Sequence, residues 1–306
     1  MAQVLGLNEA EWQTCPNPAR LVKRIRTRGS DRRYVLLACA YALNVPNVYL
    51  RGLGREIVEE IRSVAAAVSE TAAKSGELHR RLTAAFEERR VNGLPLVGYR
   101  GLDHRVLNGI GPGGRVVNEV IHLAFWRTGW PGANAVSAEV ESHIRRETHR
   151  NTRDELNRLC RRPPACGPRQ AVVRLLTPES RDELRHVAWT ADQSLVPGRI
   201  LRHLQSAATR ERLNEVRRTM ADLVREVLGN PFRPPTIDPA WLHWNHGATL
   251  HIAEQIASSG DFADLPILAD ALEDAGCRDD ELLQHMRGKT VHVPGCWALD
   301  AVLGRT

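Results

Sequence analysis

Lysine is almost missing from this chain. Of its 42 basic residues only Lys23, Lys74 and Lys289 are lysines, and the rest are arginines. Beside so much alanine, that bias reads as the codon usage of a GC-rich genome. Long apolar runs are missing too. The longest, Tyr34 to Leu43, falls well short of the roughly 18 residues a spanning helix needs, so no membrane span is expected. Met1-Ala2-Gln3-Val4-Leu5 shows no basic stretch leading into an apolar one. No export signal is read there, and a cytoplasmic location is expected. Cysteine is scarce: Cys15, Cys39, Cys160, Cys166, Cys277 and Cys296 in 306 residues. Six thiols in a chain of this length make no disulfide scaffold. They are expected to be reduced, and most of them buried as small hydrophobes.

Catalytic signatures are equally thin. There is no Gly-x-Ser-x-Gly elbow to hold a nucleophile. The neighbouring acids Glu59-Glu60, Glu87-Glu88 and Asp279-Asp280 diverge on a helix and cannot work as a carboxylate pair. Gly109-Ile110-Gly111-Pro112-Gly113-Gly114-Arg115 precedes a helix whose N-terminus could hold an anion. It lacks the Gly-Lys-Ser/Thr ending of a phosphate loop and is read as a plain loop. These absences lean the reading away from an enzyme.

What is present is an ordinary globular balance, 42% apolar and 25% charged residues. The net charge of +6 raises the question of nucleic acid, but 36 acidic residues are interspersed with the basic ones. A mixed surface follows, not one positive face. Nearly every periodic segment repeats at 3.6 residues, so the expected class is all-α, an irregular multi-helix array. Ser30-Asp31 opens a helix through Leu43 that is apolar almost all round and therefore buried. Ile57, Ile61, Val64, Ala65 and Val68 stripe a helix over 55–75, with Gly76 at its end. Residues 91–115 are a Gly/Pro-rich insertion. Thr152 and Glu155 fit a capping box, which predicts a break near Asn151. Leu213, Val216, Met220, Leu223, Val224, Val227 and Leu228 stripe a helix over 209–228, stopped by Gly229-Asn230-Pro231. Asp264 and Asp279 are read as caps of short helices in the tail.

Arg161-Arg162-Pro163-Pro164-Ala165-Cys166-Gly167-Pro168 is the best linker in the chain. It divides an N-terminal helical region, 1–160, from a C-terminal one, 169–306, the alternative being one continuous domain.

The tail carries Asn230-Pro231-Phe232-Arg233-Pro234, then Asp238 to Trp241, then Leu265-Pro266-Ile267-Leu268-Ala269-Asp270-Ala271-Leu272-Glu273-Asp274-Ala275-Gly276-Cys277, then His292-Val293-Pro294-Gly295-Cys296-Trp297. In these motifs it resembles a paralogous protein family of planctomycete bacteria. Glu11-Trp12, Cys15, Asn17-Pro18 and Ser30 to Arg33 resemble that family's opening pattern. Where the family often has Cys-Cys-Arg-Arg, this chain has Tyr41-Ala42-Leu43. The resemblance implies an all-helical domain closed by contacts between its two ends, and it implies no activity.

Three constellations are candidates to carry chemistry. Cys277, His285, His292 and Cys296 bring two thiols and two imidazoles within 20 residues, a donor set for tetrahedral zinc without a knuckle spacing. Otherwise these are buried thiols beside loop histidines, and no cofactor is needed. His243, His246 and His251 form a weaker cluster, because His246 and His251 are five apart and do not share a helix face. Arg145, Arg146, Arg150, Arg153, Arg158, Arg161 and Arg162 form the densest basic run. They could grip phosphates, but no aromatic is interleaved to stack bases, and Glu139, Glu141, Glu147, Asp154 and Glu155 offer local partners. The expected function is a non-enzymatic interaction or scaffold module for a protein partner. The alternatives are a nucleic-acid binder using helix 145–162 and a zinc-dependent protein using the thiol–imidazole set. Trp12, Trp241, Trp244 and Trp297 are expected to anchor the core.

Overall fold

The computed structural model describes residues 7–25, 30–46, 48, 50, 52–69, 72–73, 76–87, 90–91, 94–95, 97–98, 101–102, 110, 113–125, 129–161, 198–288 and 291–305. Contacts gather the chain into two compact units, Met1–Val140 with Arg218–Thr306, and Glu141–Arg217. The class is all-α.

The N-terminal helices are α1 (Glu9–Thr14), α2 (Pro18–Ile25), α3 (Asp31–Asn44), α4 (Leu53–Ala66), α5 (Glu77–Glu87) and α6 (Gly114–Phe125). Between α5 and α6 lie four two-residue strands in two antiparallel pairs, Arg90–Val91 with Leu94–Pro95 and Val97–Gly98 with Gly101–Leu102. Helix α1 is closed by a reciprocal capping box between Asn8 and Glu11. Ser30 caps α3 by accepting from the Arg33 amide at 3.2 Å. Helix α3 is the central element: every residue from Tyr34 to Ala42 is buried. Each large apolar side chain there contributes about 1.5–3 kcal/mol by leaving water. Helices α4 and α6 pack on it and on each other.

Helix α4 ends at Ala66, where Ala67 caps it. The helix was expected to run over 55–75 and end at Gly76, yet Gly76, at φ +81°, precedes the first turn of α5 instead.

Helix α7 runs unbroken from Trp130 to Arg161. The break expected near Asn151 is absent because the Thr152 hydroxyl donates to the Thr148 carbonyl at 2.8 Å instead of capping a new turn. Helix α8 is likewise continuous from Gly198 to Leu228. In the unit Glu141–Arg217, Arg217 forks onto Glu141 at 2.8 and 2.7 Å. The Gln205 amide donates to the His149 carbonyl there. Apart from Arg161, the expected linker lies outside the described residues.

The tail holds α9 (Pro239–Ser259), a 3-10 turn (Phe262–Asp264), α10 (Leu265–Asp274), α11 (Asp280–Arg287) and α12 (Trp297–Val302). Helix α9 is two pieces joined at Asn245, His246 and Gly247, all at positive φ. Asp279 caps α11 at the Leu282 amide. Asp264 makes no such bond, and Asp261 caps the 3-10 turn at the Ala263 amide. Leu265, Leu268, Leu272, Leu282, Leu283 and Met286 close a second core under α12.

The two ends of the chain meet. Arg225 of α8 donates to the carbonyls of Trp12 and Cys15. Asn230 bridges Glu9 and Glu281, and Arg233 pairs with Glu9 at 2.7 Å. Arg24 stacks over the Phe232 ring at 4.9 Å. No helix is long and apolar enough to cross a membrane, among the described residues.

Candidate metal centre

Glu226 lies in the last turns of α8, three residues after Leu223, and is buried. His285 projects from α11 with 15% of its side chain exposed. His292 comes from the loop after α11, and Cys296 immediately precedes α12 and is fully buried. Their donor atoms converge. Glu226 Oε1 lies 3.0 Å from His292 Nδ1 and Oε2 lies 3.2 Å from His285 Nε2. Cys296 Sγ is 3.3 Å from His285 Nε2 and 4.0 Å from His292 Nδ1. All four donors fall within 4.8 Å of one another.

Two glycines place these groups. Gly229, at φ +68°, ends α8, and a Cβ there would sit 3.1 Å from Trp297 Cγ. Gly295, at φ +94°, precedes Cys296, and its Cβ would sit 2.9 Å from Leu36 Cδ1 of α3. Only glycine lets the chain turn this way and lie that close. The imidazoles meet edge to face at 5.1 Å, and His285 packs on Trp297 at 4.8 Å.

Burial and the Glu226 charge set the electrostatics of the centre. Burial raises the Glu226 carboxyl, but hydrogen bonds from His285 and His292 outweigh that and hold it at about 2. Burial, and next the Glu226 charge, push the Cys296 thiol well above its usual value. A carboxylate, two imidazoles and a thiol are donor types that zinc takes. Zinc bonds of about 2.0–2.3 Å hold tetrahedral ligand atoms roughly 3.3–3.8 Å apart. The observed separations bracket that range.

A thiol–imidazole–carboxylate nucleophile fits less well. Such a triad uses one ring nitrogen toward the thiol and the other toward the acid. Here His285 Nε2 faces both Cys296 Sγ and Glu226 Oε2. The thiol is also held protonated, the wrong state for attack.

Of the residues singled out in sequence, His285, His292 and Cys296 are brought together, and Cys277 is not among them. Cys277 is buried in the apolar core of the tail, its amide bonded to the Leu272 carbonyl. Glu226 takes the fourth place. Its signal was a carboxylate set into the apolar stripe of α8, three residues after Leu223. His243 bonds the Pro239 carbonyl, His251 lies 3.8 Å from Glu254, and His246 is exposed. None of them joins a group of metal-ligating residues, among those described. Arg145, Arg146, Arg150 and Arg153 are exposed on α7. Arg145 lies 3.8 Å from Glu141, and Arg146 donates to Ser142. The side chains of Arg158, Arg161 and Arg162 lie outside the described residues, as do Gly109, Gly111 and Pro112, while Gly114 and Arg115 open α6.

Trp12 and Trp297 are buried, as core anchors should be. Yet Trp297 also borders an open cavity of about 1280 Å³ together with Glu226 and His285. His292 borders a smaller hollow of about 300 Å³ on its other side, beside Phe262 and Met286. The interior around Trp297 is therefore not uniformly apolar.

No family model, curated protein or solved structure matches this chain.

Proposed function

We propose that the protein is a zinc-dependent helical protein whose ion is held by Glu226, His285, His292 and Cys296. One observation carries this reading: four donors of three chemical kinds, from α8, α11 and the chain entering α12, converge within 4.8 Å. Two imidazoles, a thiolate and a carboxylate are a borderline set that suits zinc over magnesium or calcium. The ion would supply the charge that lets Cys296 lose its proton, and it would pin the C-terminal segment to α8. The His292-Val293-Pro294-Gly295-Cys296-Trp297 run would supply two of the ligands and the tryptophan beside them. The scaffold reading then becomes a matter of what the zinc-fixed wall presents.

Metal analysis of gently purified protein tests this. About one equivalent of zinc is expected, lost in Glu226→Gln and in Cys296→Ser. Well under one equivalent in the wild type, or full retention in both variants, contradicts it.

A further inference from the structure

Resting on that zinc reading, we infer that the cavity bordered by Trp297 is the ligand chamber of the metal. A neutral or cationic molecule with a nitrogen donor binds the ion from that side, and anions are turned away.

The placement of the four donors sets the direction of approach. Cys296 is fully buried. Glu226 and His285 are the two donors that border the 1280 Å³ cavity, with Trp297 beside them. His285 is also the most exposed of the four donors, at 15% of its side chain. A molecule in the cavity therefore meets the metal at its carboxylate–imidazole edge. Of those two ligands the carboxylate is the one that yields, because it can swing from two oxygens to one or leave altogether. In the exchange the incoming nitrogen lone pair forms a bond to zinc as a Glu226 oxygen–zinc bond opens, with no change of oxidation state. A structural zinc site has four closed protein ligands, whereas a reactive one keeps a face open to exchange. With four protein ligands this centre would belong to the first group until Glu226 gives way, and the cavity is where an incoming donor would stand.

The charge of the walls sets the kind of molecule. Besides Glu226, the carboxylates of Glu9, Asp222, Asp280 and Glu281 border the cavity. Two arginines stand against them, and both are engaged. Arg225 donates to Asp222 and to the Trp12 and Cys15 carbonyls, and Arg233 pairs with Glu9. Asp280 and Glu281 sit in the first turn of α11. A cavity so lined concentrates cations, repels anions and leaves a neutral base free to enter. Trp297, Leu223 and the exposed Val291 give it an apolar side for a carbon stem.

The experiment uses full-length protein loaded with cobalt(II) in place of zinc. The visible spectrum reads metal and chamber separately. Sulfur-to-cobalt absorption from Cys296 reports that the ion is bound where the four donors lie, and its absence overturns both the zinc reading and this inference. With that absorption present, imidazole is the neutral probe and thiocyanate the anionic one. Imidazole is expected to shift the d–d bands saturably, at least tenfold more tightly than thiocyanate. The double substitution Asp280→Asn with Glu281→Gln is expected to strengthen thiocyanate several-fold and leave imidazole unchanged. Bands that ignore imidazole, or a thiocyanate affinity equal to imidazole's in the wild type, overturn the inference while leaving the metal reading intact. Unchanged thiocyanate binding in the double variant overturns the part assigned to the α11 carboxylates.

Discussion

Arg32 and Asp300 form a fully buried, two-pronged ion pair between residues 268 positions apart, with contacts of 2.6 and 3.1 Å. Arg32 further donates to the Ala65 carbonyl at 3.0 Å. The pair joins α3 to α12, four residues beyond the proposed ligand Cys296. Asp300→Ala leaves the guanidinium buried without its anion and is expected to cost about 3–5 kcal/mol. Replacing both partners, as Arg32→Met with Asp300→Leu, should cost less than Asp300→Ala alone. Urea denaturation checks both. A loss under about 1 kcal/mol for Asp300→Ala would show that the pair does not hold the termini together.

Gly229 and Gly295 are the two backbone positions on which the site's shape depends. Alanine at either meets a positive φ and a side chain already in contact, Trp297 or Leu36. Each is expected to lose about 1–3 kcal/mol by overpacking and strain. Each should also weaken zinc binding, because both sit next to residues of the centre. Unfolding curves and a competitive zinc indicator give the two readings. Wild-type stability in Gly229→Ala would mean that Trp297 has room to move.

The state of Cys296 fixes how metal binding depends on pH. Its thiol is pushed well above the usual value by burial, so near pH 7 it carries its proton. Zinc must displace that proton. Binding should therefore release at least one proton, and affinity should rise about tenfold per pH unit for each proton released. Calorimetry in two buffers of different ionisation enthalpy measures the count. Zinc binding without proton release would exclude Cys296 as a ligand.

The two cysteines of the tail should behave differently. Cys296→Ser is expected to abolish the stabilisation that zinc confers, and Cys277→Ser to keep it, since Cys277 lies in the apolar core away from the four donors. With free zinc at about 100 times its Kd, binding adds about 2.7 kcal/mol. Chelation should then lower the wild-type Tm by roughly 4 °C. Thermal melts with and without a chelator decide this. A chelator effect lost in Cys277→Ser but kept in Cys296→Ser would reverse the assignment.

The helical class was legible because burial follows the 3.6-residue period wherever a helix faces a core. Helix α3 showed itself by being apolar all round, and Ser30 and Asp279 by local chemistry that needs no partner elsewhere in the chain. Thr152 misled because its hydroxyl had two local uses and took the carbonyl of Thr148 over a cap. Three of the centre's four donors were legible in the spacing of His285, His292 and Cys296 within one segment. Glu226 was not, because only the packing of α8 against that segment brings the carboxylate to the imidazoles. Cys277 looked equivalent to Cys296 in sequence, yet the turn after α10 buries it among leucines. The cavity beside Trp297 had no local signature at all, being bounded by both ends of the chain.

X-ray absorption at the zinc edge of the purified protein tests the central claim most directly. The predicted shell is one sulfur at about 2.3 Å and two imidazole nitrogens with one oxygen at about 2.0–2.2 Å. A zinc ion with no sulfur neighbour, with two, or without imidazole scattering would contradict a centre made of Glu226, His285, His292 and Cys296.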